Sequence, residues 1–200
     1  VDLSRAVDFL EDESGRLTLA QVLQPERQAA FRRVPSNGPG TNFGLTRSAY
    51  WLKVTLDAPP GLPRDWLLEL AFAPLDRVDV FSPDAQDGWK HQAGGDTLPF
   101  ADRAIAHRNH VFPVQLAADG RTTLYLRVRS DATLAAPLFL WQPSPLWRHD
   151  QGSYATFALY FGLLLGLMAY NLLLFVSVRE VGYLLYAAFV ASMGVAQATL

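Results

Sequence analysis

The 200-residue chain is half hydrophobic, carries a formal net charge of −2 and contains no cysteine. Disulfides and thiolate metal sites are therefore excluded, and the near-neutral charge gives no reason to expect nucleic acid as a partner. The average hides a division, because after Asp150 the only charged residues are Arg179 and Glu180.

The front of the chain has the polar surface of an ordinary domain. It opens on Val1 without a charged and then apolar leader, as expected of a chain whose signal peptide is gone or of a segment cut from a longer protein. "AVDFLED" reads as a first strand and "ESGR" as a turn. Thr18 and Gln21 have capping-box spacing, which predicts a short helix interrupted at Pro25, with a second helical turn through "ERQAAF". "PSNGPG" at 35–40 is a loop by composition. Strand-like segments follow: "YWLKVTL", "WLLELAF", "RVDVFSP", "WKHQA", "NHVFPVQL", "TLYLRVR" and "PLFLWQ". Many short strands without intervening helices predict an all-β sandwich or jelly roll behind a short helical segment.

Successive side chains on a strand point to opposite faces, so parity sorts each segment. Tyr50, Leu52, Val54 and Leu56 oppose Trp51, Lys53 and Thr55. Val78 and Val80 oppose Arg77 and Asp79; Leu124, Leu126 and Val128 oppose Tyr125, Arg127 and Arg129; Leu138 and Leu140 oppose Phe139 and Trp141. The apolar sets predict the core. If the strands are neighbours, the other sets form a face bearing Trp51, Lys53, Tyr125, Arg127 and Trp141. Aromatic rings beside hydrogen-bonding groups suit a carbohydrate or another small polar ligand. The same pattern also suits cross-strand pairing or packing against the first helix.

Gln151 to Val178 contains no charge, and a helix needs about 20 apolar residues to cross a bilayer core of about 30 Å. Membrane helices are predicted at about 154–177 and 181–200, joined by "SVRE" and surrounded by lipid. The organisation expected is a sensory domain over 1–147 and a membrane hairpin over 148–200. Trp147, Tyr154 and Tyr160 fit interfacial positions. Gly162 and Gly166 form a small-xxx-small pair that admits a close neighbour, and Asn171 needs a partner inside the membrane. The second run ends without a polar anchor, so further helices are expected beyond it.

"GLTRSAYWLKVTL", "LLELAFAPLDRVDVF", "GGDTLPFADRAIAHRNHVFPVQL" and "TLYLRVRSDATLAAPLFLW" resemble the second type of extracellular sensory domain in bacterial seven-helix receptors with diverse intracellular signalling modules. "YFGLLLGLMAYNLLLFVSVREVGYLLYAAFVASMG" resembles the start of the seven-helix region that follows it. The resemblance implies a periplasmic jelly roll related to carbohydrate-binding modules, anchored in the bacterial inner membrane. It also implies a cytoplasmic output module, commonly a diguanylate cyclase or histidine kinase. Position by position it points to Trp51, Asp76, Arg77, Arg108, Asn109 and Arg127. Asp76 and Arg77 read as fold determinants, with Asp76 expected to pair Arg108 or Arg127. The others are candidate ligand contacts.

Catalysis finds no support within this chain. His107 and His110, three apart on a strand, are poor co-ligands of one metal. "GGD" at 94–96 is followed by Thr97 and Leu98 and reads as a turn. No phosphate loop precedes a helix, and neither a metal nor a cofactor is expected. The function expected is ligand sensing and transmembrane signalling. The alternative is an interaction module that pairs with itself or with a partner receptor.

Overall fold

The structure is a computed structural model that describes residues 1–35, 40–59, 61–84, 88–117 and 120–198, with the side chains of 147–156 and 198 outside the description. The loop expected at 35–40 therefore lies mostly outside the described residues, as do the side chains of Trp147 and Tyr154. The chain divides into two compact units, Val1–Pro143 and Ser144–Leu200.

The first unit is a β-sandwich. In chain order it contains β1 (Val7–Asp12), α1 (Leu19–Val22), α2 (Pro25–Ala29), β2 (Arg32–Arg33), β3 (Asn42–Leu45), β4 (Ala49–Asp57), β5 (Asp65–Leu70), β6 (Arg77–Pro83), β7 (Trp89–Gly94), β8 (His110–Gln115), β9 (Arg121–Arg129), β10 (Thr133–Ala135) and β11 (Leu138–Trp141). One sheet has the order β2-β1-β4-β9-β6-β7, a second the order β11-β5-β8, and β10 pairs with β3. From β4 to β9 the chain crosses repeatedly between the two larger sheets, as in a jelly roll.

Alternation explains the core. Leu52, Val54, Val78, Val80, Leu124 and Leu126 from the six-stranded sheet meet Leu68, Leu70, Phe112, Val114, Leu138 and Leu140 from the three-stranded one in a single buried cluster. The helical segment begins as expected: the Thr18 N–H donates to Gln21 Oε1 at 2.9 Å, and Pro25 occupies the first turn of α2, where its missing N–H costs nothing. The "GGD" stretch is the turn that ends β7. Gly95 has φ +132°, and a Cβ there would collide with the Asp76 carbonyl, so only glycine fits.

One histidine ties the loop between β5 and β6 to the start of β8. His110 is buried and its Nε2 lies 3.0 Å from the Ala73 carbonyl. Burial is the main cause that pushes its pKa down; the Ala73 bond opposes this, and the nearby Arg103 adds to it. Below about pH 6.5 the unfolded chain therefore binds a proton that the folded domain refuses. Stability should fall as pH drops from that value toward the lowered folded pKa. His110→Leu should flatten this part of the profile, which urea midpoints at pH 7.5 and 5.5 would measure. An unchanged slope would show that His110 is not its source.

The second unit contains α3, which begins at Pro143 and ends at Val178, and α4 (Val181–Ala198). Among the described residues one helix, Phe157–Val178, is long and apolar enough to cross a membrane; Val181–Gln197 is a shorter apolar helix. Arg179 turns the chain between them with φ 57°, its N–H bonding the Phe175 carbonyl at 2.7 Å. Asn171 is satisfied by its own helix, donating to the Leu167 carbonyl at 2.8 Å. The contact between α3 and α4 does not use Gly162 or Gly166: a Cβ on either would meet nothing within 4 Å. It uses Gly194, where a Cβ would sit 3.7 Å from Leu164 Cδ1.

Candidate functional site

The strand order divides the residues nominated from the sequence. Trp51, Lys53, Tyr125 and Arg127 do share one face, because β4 and β9 are neighbours with Trp51 opposite Arg127 and Lys53 opposite Tyr125. Trp141 does not join them. It lies on β11 in the other sheet, so the single aromatic face is corrected to two separate ones. Parity assigned each residue a face of its own strand but could not say which strands were neighbours.

The face of the six-stranded sheet is largely roofed by the short helices. Trp51 is only 1% exposed and packs with Leu10, Val22 and Tyr125, flanked by Leu19, Leu23 and Phe31. Its ring stacks on Phe81 at 5.7 Å. Gln28 of α2 fastens the roof, because its Oε1 accepts from Lys53 Nζ at 2.8 Å and from Tyr125 Oη at 3.0 Å. Burial raises the Tyr125 pKa, the bond to Gln28 only partly opposing it, so the hydroxyl remains a donor.

Beside this roof lies a charge cluster around Asp79, which is opposite Arg127 on the neighbouring strand. Arg77 donates to Asp79 Oδ1 from Nε at 3.1 Å and from Nη2 at 2.9 Å. His91 Nε2 lies 2.9 Å from the same oxygen, and Arg127 Nη1 is 3.6 Å from Oδ2. Burial works against the charge on Asp79, but hydrogen bonds from Arg77 and His91 outweigh it and hold the pKa below the ordinary carboxylate value. Arg127 Nη2 also donates to the Gly15 carbonyl at 2.6 Å, tying the turn before α1 to the sheet. The acid expected to pair Arg127 was Asp76, and this is corrected. Asp76 instead accepts the Asp131 N–H at 2.7 Å and caps a turn, while Asp79 is the buried partner.

Where the roof ends, the same face is open. Trp89 on β7 is 37% exposed, and its ring meets Tyr125 edge-on at 5.3 Å. Next to it, Thr55 and Thr123 face one another across β4 and β9 with their hydroxyls 3.4 Å apart. Lys53 sits 5.7 Å from the Phe31 ring. An open indole, two hydroxyls, an ammonium group and a phenol thus lie together. The sequence reading did not nominate Trp89, although its spacing from His91 in "WKHQA" shows the two on one face.

On the three-stranded sheet, Glu69 is buried and accepts at both oxygens: from Asn109 Nδ2 at 2.6 Å and from Trp141 Nε1 at 2.7 Å. Asn109 and Trp141 are therefore engaged in holding a carboxylate. Arg108 is exposed. Among the described residues no cluster of three or more histidine, cysteine or acidic side chains suits a metal.

Comparison with known proteins divides the chain at the same place as its structure. Residues 4–142 match the family model described as 7TMR-DISM extracellular 2, and residues 153–200 match that described as 7TM diverse intracellular signalling. No curated protein matches.

Proposed function

The chain belongs to the 7TMR-DISM receptors, carrying their extracellular sensor domain and the start of their membrane region, and from that premise we propose that it senses a small polar ligand, a carbohydrate, on the open part of the six-stranded sheet. The observation that carries this reading is the exposed Trp89 beside Tyr125, Thr55, Thr123 and Lys53. A sugar ring offers apolar C–H faces and equatorial hydroxyls, which an indole face and a set of hydroxyl and amine groups complement. Under this reading Trp89, Thr55 and Thr123 are the ligand contacts, and Lys53 and Tyr125, both bonded to Gln28, hold the edge of the roof beside them. Trp51 and Arg127 support the face from beneath the helical roof. Trp141, Arg108 and Asn109 belong to a separate site on the other sheet.

The receptor sits in the bacterial inner membrane with its sensor in the periplasm, and both apolar helices cross the bilayer. Gly162 and Gly166, free of α4, serve contacts with further membrane helices. Binding changes output only if the ligand prefers one of two helix arrangements, since equal affinity for both shifts nothing. The output is a cytoplasmic diguanylate cyclase or histidine kinase.

The test is a thermal-shift screen of the full chain in detergent micelles against a glycan panel. A ligand at about 100 times its Kd adds about 2.7 kcal/mol of stability. Trp89→Ala should leave the unliganded transition unchanged and weaken the hit about tenfold or more. Unchanged affinity in that variant would remove the platform. A panel without hits, with a mass that rises with concentration, would instead assign the domain to pairing with itself.

A further inference from the structure

His110 has two ring nitrogens, and only one of them is bonded among the described residues. Nε2 lies 3.0 Å from the Ala73 carbonyl. A carbonyl can only accept, so Nε2 carries the proton of the neutral ring and Nδ1 presents a lone pair. Nδ1 is buried without a hydrogen-bond partner among the described residues, and so is Arg103 Nε, which can only donate. His110 and Arg103 line the same small cavity of about 10 Å³, together with Gly94, Ala104 and Phe112. Gly94 keeps this space open, because a Cβ there would stand 2.8 Å from Phe112 Cζ and 3.7 Å from His110 Nδ1. Buried polar atoms are almost always bonded, so an acceptor and a donor left over at one cavity point to a group that bridges them.

The two atoms and the size of the space define the occupant. It must accept from the Arg103 Nε–H and donate to His110 Nδ1. A simple anion has nothing to donate, and its charge would face the imidazole lone pair. A cation, metal or ammonium, would sit against the Arg103 guanidinium. An apolar group satisfies neither atom. A space of about 10 Å³ holds roughly one water molecule and nothing larger. We propose that this cavity is a structural water site, in which one molecule accepts from Arg103 and donates to His110. Its effect reaches beyond the cavity. Arg103 Nη1 donates to the His107 carbonyl at 2.8 Å and to the Arg108 carbonyl at 3.4 Å, so Arg103 holds the stretch that carries Arg108 and Asn109. Asn109 in turn donates to the buried Glu69, which also accepts from Trp141. With Ala73 on Nε2 and the water on Nδ1, His110 joins the loop before β6 to the loop before β8. The water thereby positions the polar residues on the outer side of the three-stranded sheet.

Nuclear magnetic resonance of the full chain in detergent micelles, with nitrogen-15 in histidine and arginine, tests this. His110 should be the tautomer protonated at Nε2, and the Arg103 Nε–H should show a dipolar cross-peak to a long-lived water. Two variants separate the ring nitrogens. His110→Gln keeps a donor for the Ala73 carbonyl and has no atom at the Nδ1 position. It should lose the water cross-peak and quicken amide exchange at Asn109 by about fivefold, the ratio for one lost neutral hydrogen bond. His110→Asn keeps an acceptor at the Nδ1 position and should retain the cross-peak. A wild-type ring protonated at Nδ1, a wild-type Arg103 Nε–H without a water contact, or a cross-peak that persists in His110→Gln would each overturn the site. If His110→Gln does not fold, the wild-type tautomer and cross-peak decide alone. Loss of the cross-peak with unchanged exchange at Asn109 would overturn the positioning role.

Discussion

Trp51→Ala is expected to destabilise the amino-terminal domain by about 3–5 kcal/mol, the range for truncating a buried aromatic ring. For a domain of this size that corresponds to a fall in Tm of roughly 10–15 °C. The reason lies in what the ring supports. Trp51 is the largest fully buried side chain in the domain, and it is the floor on which Leu10, Val22 and the short helices rest. Helices of four and five residues have no stability of their own, because nucleation costs more than so few hydrogen bonds return. They persist by packing, so removing the ring removes both the area and the roof. Trp51→Phe supplies the control. The Trp51 indole N–H is buried without a partner, so phenylalanine keeps most of the packing and relieves an unmet donor. Chemical denaturation should therefore show a large loss for alanine and a small one for phenylalanine. Equal losses would mean that the shape of the indole matters more than its burial. Trp89→Ala, on the open end of the same sheet, should change stability little, which separates a structural tryptophan from a ligand-binding one.

The contrast between these two tryptophans shows where the sequence is legible. Alternation of apolar and polar residues placed β1, β4–β9 and β11 close to where they lie, and it named core residues on β4, β6, β9 and β11. It missed β2, β3 and β10, which have two to four residues and are too short for alternation to register. Parity also put Trp51 on the outward side of its strand, which is correct. What parity could not convey is that residues 19–29 return to cover that side, because a roof is a tertiary relation between segments. Trp89 and Trp51 are equivalent by alternation and opposite by exposure. The ion pair has a similar lesson. Arg77 and Asp79, two apart in "RVDVF", were visibly on one face, and that spacing was the better guide to the buried carboxylate than the resemblance, which pointed to Asp76. The first membrane helix was legible because its signal is bulk apolarity over a length, which needs no partner to be read.

Asp79→Ala is the other substitution expected to have a large effect, at about 3 kcal/mol, the low end for removing one partner of a buried ion pair. The penalty comes chiefly from Arg127. Its side chain is 19% exposed, so once Asp79 is gone its charge is held beneath the roof without a counter-ion. Arg77 and His91 are each more than a third exposed and can turn to water, so their lost contacts add little. The same argument predicts that Asp79→Ala combined with Arg127→Leu is less damaging than Asp79→Ala alone, because no unpaired charge remains. It also fixes the sign of the pH dependence. The folded pKa of Asp79 is lowered, so its contribution is fully present above its unfolded value of about 3.9 and is lost as pH falls through the folded pKa. Denaturation of the wild type and of Asp79→Ala should therefore differ most at neutral pH and converge in acid. If the two differ equally at pH 7 and pH 3, the loss is one of packing and not of charge. If the double variant is as unstable as the single one, Arg127 contributes through its bond to the Gly15 carbonyl, and the roof is held by that tie more than by the ion pair beneath it.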